Sequence, residues 1–246
     1  MPDAALTMAG RCIRLSMRQV DALLTSLLLP VLLMLIFVYL FGGAIETGSD
    51  YVTYVVPGVI LLCAGFGSAT TAVTVSQDMS GGIVDRLRSL DVGGASVLAG
   101  HVAASVVRNA ISTALVLAVA LLIGFRPDAE PLEWLAAAGV LAAFVLAMSG
   151  FAAALGLLAR SPEAANGITF IVLFLPYASS AFVPVDTMPT WLQGFAEHQP
   201  VTPIIETLRG LLLGGPTQAT TALAWCAGIL VVSLAASSVL FRRRTA

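Results

Sequence analysis

The sequence contains no lysine, since all 12 of its basic residues are arginine. A P-loop requires a lysine that contacts the nucleotide phosphates, so the chain cannot carry this ATP-binding motif. Catalysis through a lysine Schiff base is excluded for the same reason. The formal net charge of −2 also leaves no electrostatic basis for general binding of nucleic acids.

Cysteine and histidine, the usual ligands of zinc, are scarce as well. Cys12, Cys63 and Cys226 are far apart, and two of them lie in apolar runs, which fits neither a disulfide framework nor a zinc site. His101 and His198 have no cysteine nearby, so we expect no metal site. No motif positions a His–Asp pair beside a serine or threonine, which disfavours a membrane hydrolase.

Charge is the largest deficit, because only 11% of the residues are charged while 58% are hydrophobic. Soluble domains carry about 25% charged residues, and we therefore interpret the chain as an integral membrane protein. A membrane-spanning helix needs about 20 apolar residues, and six segments qualify. These segments are Leu23–Phe41, Tyr51–Val75, Val97–Phe125, Trp134–Leu158, Gly167–Val183 and Ala219–Phe241. Pro176 predicts a kink in the fifth segment.

The distribution of arginines predicts the orientation of these six spans. With the N-terminus in the cytoplasm, nine of the 12 arginines fall in inner segments, as the positive-inside rule requires. Both termini are then cytoplasmic in a multi-pass plasma-membrane protein. The first apolar run begins too late and is too long for a cleavable signal peptide. The nine inner residues are Arg11, Arg14, Arg18, Arg86, Arg88, Arg160, Arg242, Arg243 and Arg244.

The first 22 residues show helical periodicity. Apolar or small residues recur every three or four positions, beside a stripe formed by Arg11, Arg14 and Arg18. This pattern is typical of a helix in the inner membrane interface, with its apolar side in lipid and its arginines at phosphates. Such a helix either only anchors the first span or also contacts a cytoplasmic partner. The apolar stripe comprises Leu6, Gly10, Ile13, Met17, Val20 and Leu24.

The inner loop between the second and third spans contains a short amphipathic pattern. Gly81-Gly82 permits a sharp turn out of the membrane, and the following residues place Ile83, Leu87 and Leu90 on one helical face. A short helix of this kind suits docking into a groove of another protein, or it merely reconnects two spans. The polar residues around that apolar face are Asp85, Arg86, Arg88 and Ser89.

The outer stretch 184–218 predicts two short helices before the last span. The first carries Trp191, Leu192 and Phe195 and is broken by Pro200, and the second begins at Thr202 as N-cap and ends at Gly214-Gly215. With about 11 residues, the second is too short to cross the bilayer. The two helices either shield the outer mouth of a pathway or simply cap the bundle.

Arg108 and Asn109 lie within the third predicted span, where a charged side chain is costly. Arg108 either lines a cavity or forms a gating ion pair, or it snorkels towards the inner interface. Because no other span contains an acidic residue as an obvious partner, we expect one at a loop end, such as Asp21 or Asp78.

In two stretches the chain resembles the permease subunits of type-2 ABC exporters, particularly the daunorubicin/doxorubicin-resistance type. One stretch is Gln77-Asp78…Gly82…Asp85-Arg86-Leu87-Arg88-Ser89-Leu90, followed by Arg108-Asn109. The other runs from Ser179 to Pro189 and on through Trp191-Leu192, Phe195, Pro200-Val201-Thr202 and Arg209-Gly210-Leu211-Leu212-x-Gly214. The family usually has proline after the last leucine of the inner loop, where this chain has Asp91.

The resemblance implies an all-α integral membrane fold with six transmembrane helices, an N-terminal interfacial helix, a cytoplasmic coupling helix and two short extracellular re-entrant helices. It implies one transmembrane domain over residues 1–246, with spans at 23–75, 97–183 and 219–241. The remaining segments are the interfacial helix at 1–22, the coupling loop at 76–96, the extracellular helices at 184–218 and the cytoplasmic tail at 242–246. The implied site residues are Ile83, Asp85, Arg86, Leu87, Arg88 and Leu90 for coupling, and Asp186, Pro189, Trp191, Phe195, Glu206 and Arg209 for an extracellular gate or cap.

The implied partners are two copies of a separate ATP-binding subunit, a second identical or homologous permease, and membrane lipids, with no nucleic acid. ATP and Mg²⁺ would bind the partner subunit and no cofactor would bind this chain, which is then not an enzyme. The expected function is efflux of a hydrophobic or amphipathic, antibiotic-like compound from a bacterial cell. Export of a lipid or lipid-linked glycan, a proton-driven secondary carrier and a non-transporting assembly subunit are the alternatives.

Overall fold

The part of the chain that the structure describes, residues 2–18, 20–45, 50–84 and 94–245 of a computed structural model, is α-helical and contains no strand. Apolar runs separated by glycine, proline and short polar turns account for this pattern. The helices are α1 (Pro2–Arg18), α2 (Val20–Ile36), α3 (Tyr51–Ser80), α4 (Gly94–Leu122), α5 (Pro131–Leu158), α6 (Pro162–Val172), α7 (Thr190–His198), α8 (Val201–Leu213) and α9 (Ala219–Thr245).

Four of the six predicted spans correspond to helices that are long and apolar enough to cross a membrane, namely α3, α4, α5 and α9. The start of α5 follows local rules of helix capping. In α5, Pro131 occupies the first turn and the Glu133 carboxylate accepts a hydrogen bond of 2.8 Å from the Glu130 N–H. The prediction of an all-helical fold is therefore confirmed for the described residues, while the count of six spans stays a prediction.

The first and fifth predicted spans are not single regular helices. After α2, the chain forms a π-helical turn over Phe37–Phe41. In the fifth segment, α6 ends at Val172 after 11 residues, and a 3-10 turn over Leu175–Ala178 contains Pro176. The predicted kink is thus a complete break, because proline lacks a backbone N–H and disfavours helical conformation in the residue before it.

Helix α3 is the central element, and α2, α4, α5, α6 and α8 all pack against it. Small residues permit the closest approaches. A side chain at Gly156 of α5 would place its Cβ 2.4 Å from the Ala72 carbonyl oxygen of α3, and one at Gly58 would meet the backbone of Ala181 at 2.7 Å. Glycine at these positions therefore brings α3 into backbone contact with α5 and with the segment that follows α6.

The predicted N-terminal helix is present as α1, but the face that it packs against protein differs from the predicted apolar stripe. Met8, Cys12 and Ser16 are buried, and the Met8 backbone lies where a Cβ at Gly100 of α4 would be 3.1 Å away. Leu6, from the predicted stripe, is 71% exposed. A small, partly polar face thus makes the close contact with α4, and it leaves Leu6 of the apolar stripe exposed, as expected for a side that faces lipid.

Both predicted outer helices are present, as α7 and α8. The start of α8 corrects the prediction: its N-cap is Pro200, so Thr202 lies inside the first turn. The Thr202 hydroxyl donates to the Ala196 carbonyl at 2.5 Å and thereby ties α8 to α7. Gly214 ends α8 with φ of 68°, a left-handed conformation that glycine adopts without strain. The end of the bundle that carries α7 and α8 is called the outer end below, and the opposite end the inner end.

Candidate functional site

The inner loop that sequence analysis identified begins directly after α3. Ile83 is half-buried, and Val84 is buried against a small cluster that contains Met8, Cys12 and Val97. The other predicted coupling residues lie outside the described part of the chain, and they are Asp85, Arg86, Leu87, Arg88 and Leu90. The beginning of the loop is therefore packed on α1 and α4.

A polar contact joins the three helices that surround this loop. The Asp78 carboxylate, two residues before the end of α3, accepts a hydrogen bond of 3.4 Å from Arg11 of α1. Nε2 of His101 on α4 lies 3.2 Å from the same oxygen, although without hydrogen-bond alignment. We call Arg11, Asp78 and His101 the inner junction. The inner junction therefore joins α1, α3 and α4 next to the point where the loop begins.

Of the two other predicted arginines of α1, Arg14 does not join this contact. Arg14 donates a hydrogen bond of 3.1 Å to the Gly10 carbonyl within its own helix. The side chain of Arg18 is outside the part that the structure describes. Of the predicted interfacial stripe, the structure thus places Arg11 against α3.

Arg108 lies further from the inner end of α4 than His101 does, and it is only 4% exposed. Its guanidinium donates to the Gly67 carbonyl at 2.8 and 3.2 Å, to the Ser16 hydroxyl at 2.8 Å and to the Thr71 hydroxyl at 3.2 Å. These acceptors are neutral and come from α1 and α3. Asp78, one of the two expected carboxylate partners, belongs instead to the inner junction, and the side chain of Asp21 is not described. A small cavity of about 70 Å³ separates Arg108 from Asp78.

Asn109 belongs to a hydroxyl cluster on the other side of α4. Its amide donates to the Ser105 carbonyl at 2.9 Å, and Ser149 of α5 donates to the Ser105 hydroxyl at 2.7 Å. Ser68 of α3 lies within 3.4 Å of both Asn109 and Ser149. The cluster therefore links α3, α4 and α5 at the centre of the bundle, where unpaired polar groups are expensive.

At the outer end, Arg209 contacts one other predicted gate residue, Glu206, and two residues outside the predicted gate, Tyr54 and Ser180. Arg209 donates to Glu206 at 2.6 Å and to the carbonyls of Tyr54 and Ser180 at 3.1 and 2.9 Å. Its guanidinium carbon is 3.8 Å from the centre of the Tyr54 ring, and the Tyr54 hydroxyl donates to the Ser180 carbonyl. We call Tyr54, Ser180, Glu206 and Arg209 the outer clamp.

The outer clamp forms one wall of a wide cavity of about 1020 Å³ at the outer end, which we call the vestibule. Asp186, another predicted gate residue, lines it. Pro189 is the N-cap of α7, while Trp191 and Phe195 are 79% and 52% exposed on that helix. The vestibule lining includes Tyr54, Asp186, Glu197, Glu206, Arg209 and Trp225.

Two apolar cavities lie between the helices below the vestibule. One, of about 570 Å³, is called the lateral cavity and is formed by α3, α5, α6 and α9. The other, of about 330 Å³, lies between α4 and α5 beneath α8. Trp225 lines both the vestibule and the lateral cavity. The lining of the lateral cavity includes Phe144, Met148, Phe151, Val172, Trp225 and Ile229.

Several of these residues were not identified from the sequence. The sequence suggests Asp78 as a partner for Arg108 and places it in the stretch that resembles the exporter permeases, but it assigns no contact to His101, Tyr54 or Trp225. Helical spacing offers one signal for the inner end, because Asp78 follows Thr71 and Thr74 on one face of α3, as expected for a polar stripe. Nothing in the sequence relates Tyr54 to Arg209, which is 155 positions away.

Comparison with known proteins gives consistent matches along the chain. A family model described as ABC-2 type transporter matches residues 4–213. The daunorubicin resistance ABC transporter permease protein DrrB1 of Streptomyces coeruleorubidus is 32% identical over 228 residues, covering 91% of this chain and 81% of that protein. The probable doxorubicin resistance ABC transporter permease protein DrrC of Mycobacterium tuberculosis (strain CDC 1551 / Oshkosh) is 27% identical over 225 residues, covering 89% and 80%. Its counterpart in strain ATCC 25618 / H37Rv gives the same values.

Proposed function

The chain belongs to the ABC-2 type transporter family, and from this membership we propose that it is the permease half of an ATP-driven pump for hydrophobic or amphipathic compounds. It is a permease subunit related to those of drug-resistance exporters. Permeases of this family are membrane subunits. The ATP-binding subunit is a separate chain, consistent with the absence of lysine and hence of a P-loop here. Two permease chains and two ATP-binding chains form the working assembly, with ATP and Mg²⁺ bound by the latter.

One observation carries the coupling part of this proposal: the inner junction lies at the point where α3 enters the inner loop. Asp78 is bonded to α1 and contacts α4, so a force applied to the loop reaches three helices at once. Arg108, one level deeper, connects α1 to α3 through Ser16 and Gly67. We infer that nucleotide-driven movement of the partner pulls on the loop and shifts these helices as a unit.

The cavities support an apolar or amphipathic cargo. Both membrane-level cavities are lined almost wholly by apolar side chains, whereas the lining of the vestibule at the outer end also includes charged and polar side chains. A compound taken from the cytoplasm or the inner leaflet would leave through the outer end, with both chain termini in the cytoplasm. The names of the relatives include daunorubicin and doxorubicin resistance, which favours antibiotic-like compounds over lipid or lipid-linked glycan.

The decisive test is reconstitution. The chain is purified from membranes of its host, and any co-purifying subunit with Walker motifs is identified and its ratio measured. The assembly is then placed in sealed vesicles with a fluorescent amphiphile, and ATP-dependent accumulation is followed. We expect a ratio of one ATP-binding chain per permease and transport that stops when ATP is withheld. Transport by the chain alone, driven by a proton gradient, would contradict the proposal and favour a secondary carrier.

The docking step is tested by the double substitution Leu87→Asp and Arg86→Glu in the inner loop. We expect loss of the ATP-binding subunit from the purified complex and loss of export, while the variant permease is still made and inserted. The matched control is Glu163→Gln, which changes an exposed charge at the inner end outside the inner loop. If assembly and export survive the double substitution, the loop is not the docking element.

A further inference from the structure

We infer that the cavity between α4 and α5, beneath α8, is a binding site for a small uncharged alcohol that dissolves in the membrane. We call it the α4–α5 cavity. The inference goes beyond the proposed function, because it depends neither on ATP-driven export nor on the vestibule or the lateral cavity. Three features carry it: the opening of the cavity towards lipid, two buried polar atoms on its wall, and its size.

The α4–α5 cavity opens on the surface of the bundle. Four exposed alanines line it, two from each of the helices that flank it, and their small side chains leave a gap between α4 and α5. In a membrane protein this surface faces the hydrocarbon region, so a ligand would enter from the bilayer. The four residues are Ala110, Ala114, Ala138 and Ala142.

Two polar atoms distinguish this cavity from a simple groove for lipid chains. Among the residues that the structure describes, neither the buried hydroxyl oxygen of Thr113 nor the buried side-chain oxygen of Asn109 has a hydrogen-bond partner. Both residues line the cavity, and their spacing of four positions places them on adjacent turns of one face of α4. Thr113 and Asn109 thus provide two free hydrogen-bonding groups on one wall of an apolar space.

Other hydroxyls of the bundle show that this is not the usual arrangement. The hydroxyls of Ser68 and Ser233 donate to carbonyls four residues earlier in their own helices, at 2.8 and 2.6 Å. A polar group that stays unpaired in a medium without water is costly, because it has lost its hydration and gained nothing in exchange. A ligand that bonds to Thr113 and Asn109 removes this cost, and that gain favours its binding.

The two atoms and the rest of the lining define the class of ligand. A carbonyl oxygen only accepts hydrogen bonds, whereas a hydroxyl both donates and accepts. One ligand hydroxyl therefore suits both groups, since it accepts from Thr113 and donates to Asn109. No described residue of the lining carries a charge, so a charged ligand would lose its hydration without compensation.

The volume of the cavity limits the size of this alcohol. An apolar cavity of about 150 Å³ holds benzene, so the volume of about 330 Å³ has room for about 10 to 12 non-hydrogen atoms. A compact alcohol of this size fits the cavity, whereas a phospholipid does not.

The test measures binding through Trp134, which lines the cavity. Trp191→Phe and Trp225→Phe leave Trp134 as the single tryptophan of the chain. The full chain in nanodiscs of zwitterionic lipid is titrated with 8-bromooctan-1-ol and with 1-bromononane, in which a methyl group replaces the hydroxyl. Quenching of Trp134 by the bromine is compared at equal concentrations of the two probes in the bilayer. We expect saturable quenching, with an apparent Kd for the alcohol about tenfold below that for the bromoalkane.

Substitution of Thr113 tests the recognition directly. Thr113→Val removes the hydroxyl at nearly constant volume and is expected to reduce the preference for the alcohol to about threefold or less. The matched control Thr113→Ser keeps the hydroxyl and should keep the preference. Since the bilayer is the same in all three proteins, a difference between the two variants reports the cavity and not the depth of the probes in lipid. Equal quenching by both probes in the parent protein, or a preference that survives Thr113→Val, would overturn the inference.

A second variant tests the location without altering a polar group. Ala138→Leu fills the cavity and is expected to abolish saturable quenching by the alcohol, whereas Ala118→Leu, at an exposed alanine of α4 outside the lining, should leave it unchanged. Saturable quenching that survives Ala138→Leu would place the alcohol elsewhere and refute the site. Export plays no part in these measurements, so failure of ATP-driven transport would leave the inference intact. Equal quenching by the two probes would likewise leave the proposed function intact.

Discussion

The inner junction and the outer clamp both join α3 to neighbouring helices, but they do so with different chemistry. At the outer clamp, Arg209 donates to two backbone carbonyls and covers an aromatic ring, and one carboxylate completes its contacts. At the inner junction, side chains bind side chains: Asp78 contacts Arg11 and His101 at distances above 3 Å. A short ion pair and convergent hydrogen bonds to backbone carbonyls hold the outer end, while longer contacts between side chains hold the inner end.

Because of this difference, the bundle can be rigid at its outer end and movable at its inner end. Hydrogen bonds from a guanidinium to fixed carbonyls are lost together when the arginine moves, so the outer clamp resists small displacements. Partly exposed ion pairs contribute little individually and can exchange partners with water. The inner end is therefore the one suited to transmit a force from the loop. The expected effects of substitution follow this order.

The largest effect is expected for Arg209→Met. The substitution removes three hydrogen bonds of a charged donor and the contact with Tyr54, at a cost of about 3 kcal/mol. For a chain of this size the Tm of the purified protein should fall by about 6–12 °C. Arg126→Met serves as the control, because Arg126 contacts only carbonyls of its own segment. A fall of equal size in both variants would refute the special role of the outer clamp.

A smaller loss is expected for Gly67→Ala, which acts between the two ends. The new Cβ would lie 2.1 Å from the Asn109 side-chain oxygen, and the Gly67 carbonyl is the acceptor for Arg108. Displacement of Asn109 should cost about 1–3 kcal/mol, only partly offset by the better helix propensity of alanine. Gly139→Ala, at a glycine with open space around it, should be neutral or slightly stabilising in the same thermal measurement. An unchanged Tm for Gly67→Ala would mean that the hydroxyl cluster tolerates the displacement.

The helices that carry these contacts could be predicted from the sequence, but the contacts themselves could not. Hydropathy located α3, α4, α5 and α9, because a long apolar run is a local property. Proline and glycine located the ends of α7 and α8 to within two residues, for the same reason. The partners of Arg108 and Arg209 were out of reach, because a backbone carbonyl such as that of Gly67 or Ser180 has no signature in the sequence. Long-range pairs depend on how helices pack.

For Asp78→Asn we expect little effect on stability and a large effect on coupling. Asp78 and Arg11 are partly exposed, and a pair of this kind contributes less than about 1 kcal/mol. In the reconstituted assembly, however, ATP-dependent export should fall severalfold while ATP hydrolysis continues. The reason is that the end of α3, where the loop begins, no longer contacts α1 and α4 through the Asp78 carboxylate. Glu163→Gln provides the inner-end control. Export that remains unchanged in Asp78→Asn would show that force passes through other contacts.

The smallest and most local effect concerns Cys12, whose labelling rate reports whether α1 remains packed against α4. Burial raises the pKa of the Cys12 thiol, so the reactive thiolate is less populated at pH 7 than in a free cysteine. With Cys63 and Cys226 replaced by alanine, maleimide labelling of Cys12 should be at least tenfold slower than labelling of a cysteine placed at exposed Leu6.

If the inner junction, and not apolar packing alone, holds α1 against α4, loosening that junction should reduce the protection of Cys12 from labelling. Adding Asp78→Asn removes the hydrogen bond from Arg11 and is expected to speed labelling of Cys12 severalfold, whereas Arg209→Met at the opposite end should leave the labelling rate unchanged. Acceleration in both variants would mean that the two ends are held as one rigid body. Acceleration in neither would mean that contacts of Met8 and Cys12 with α4 suffice, so that the mobility inferred for the inner end must come from the loop itself.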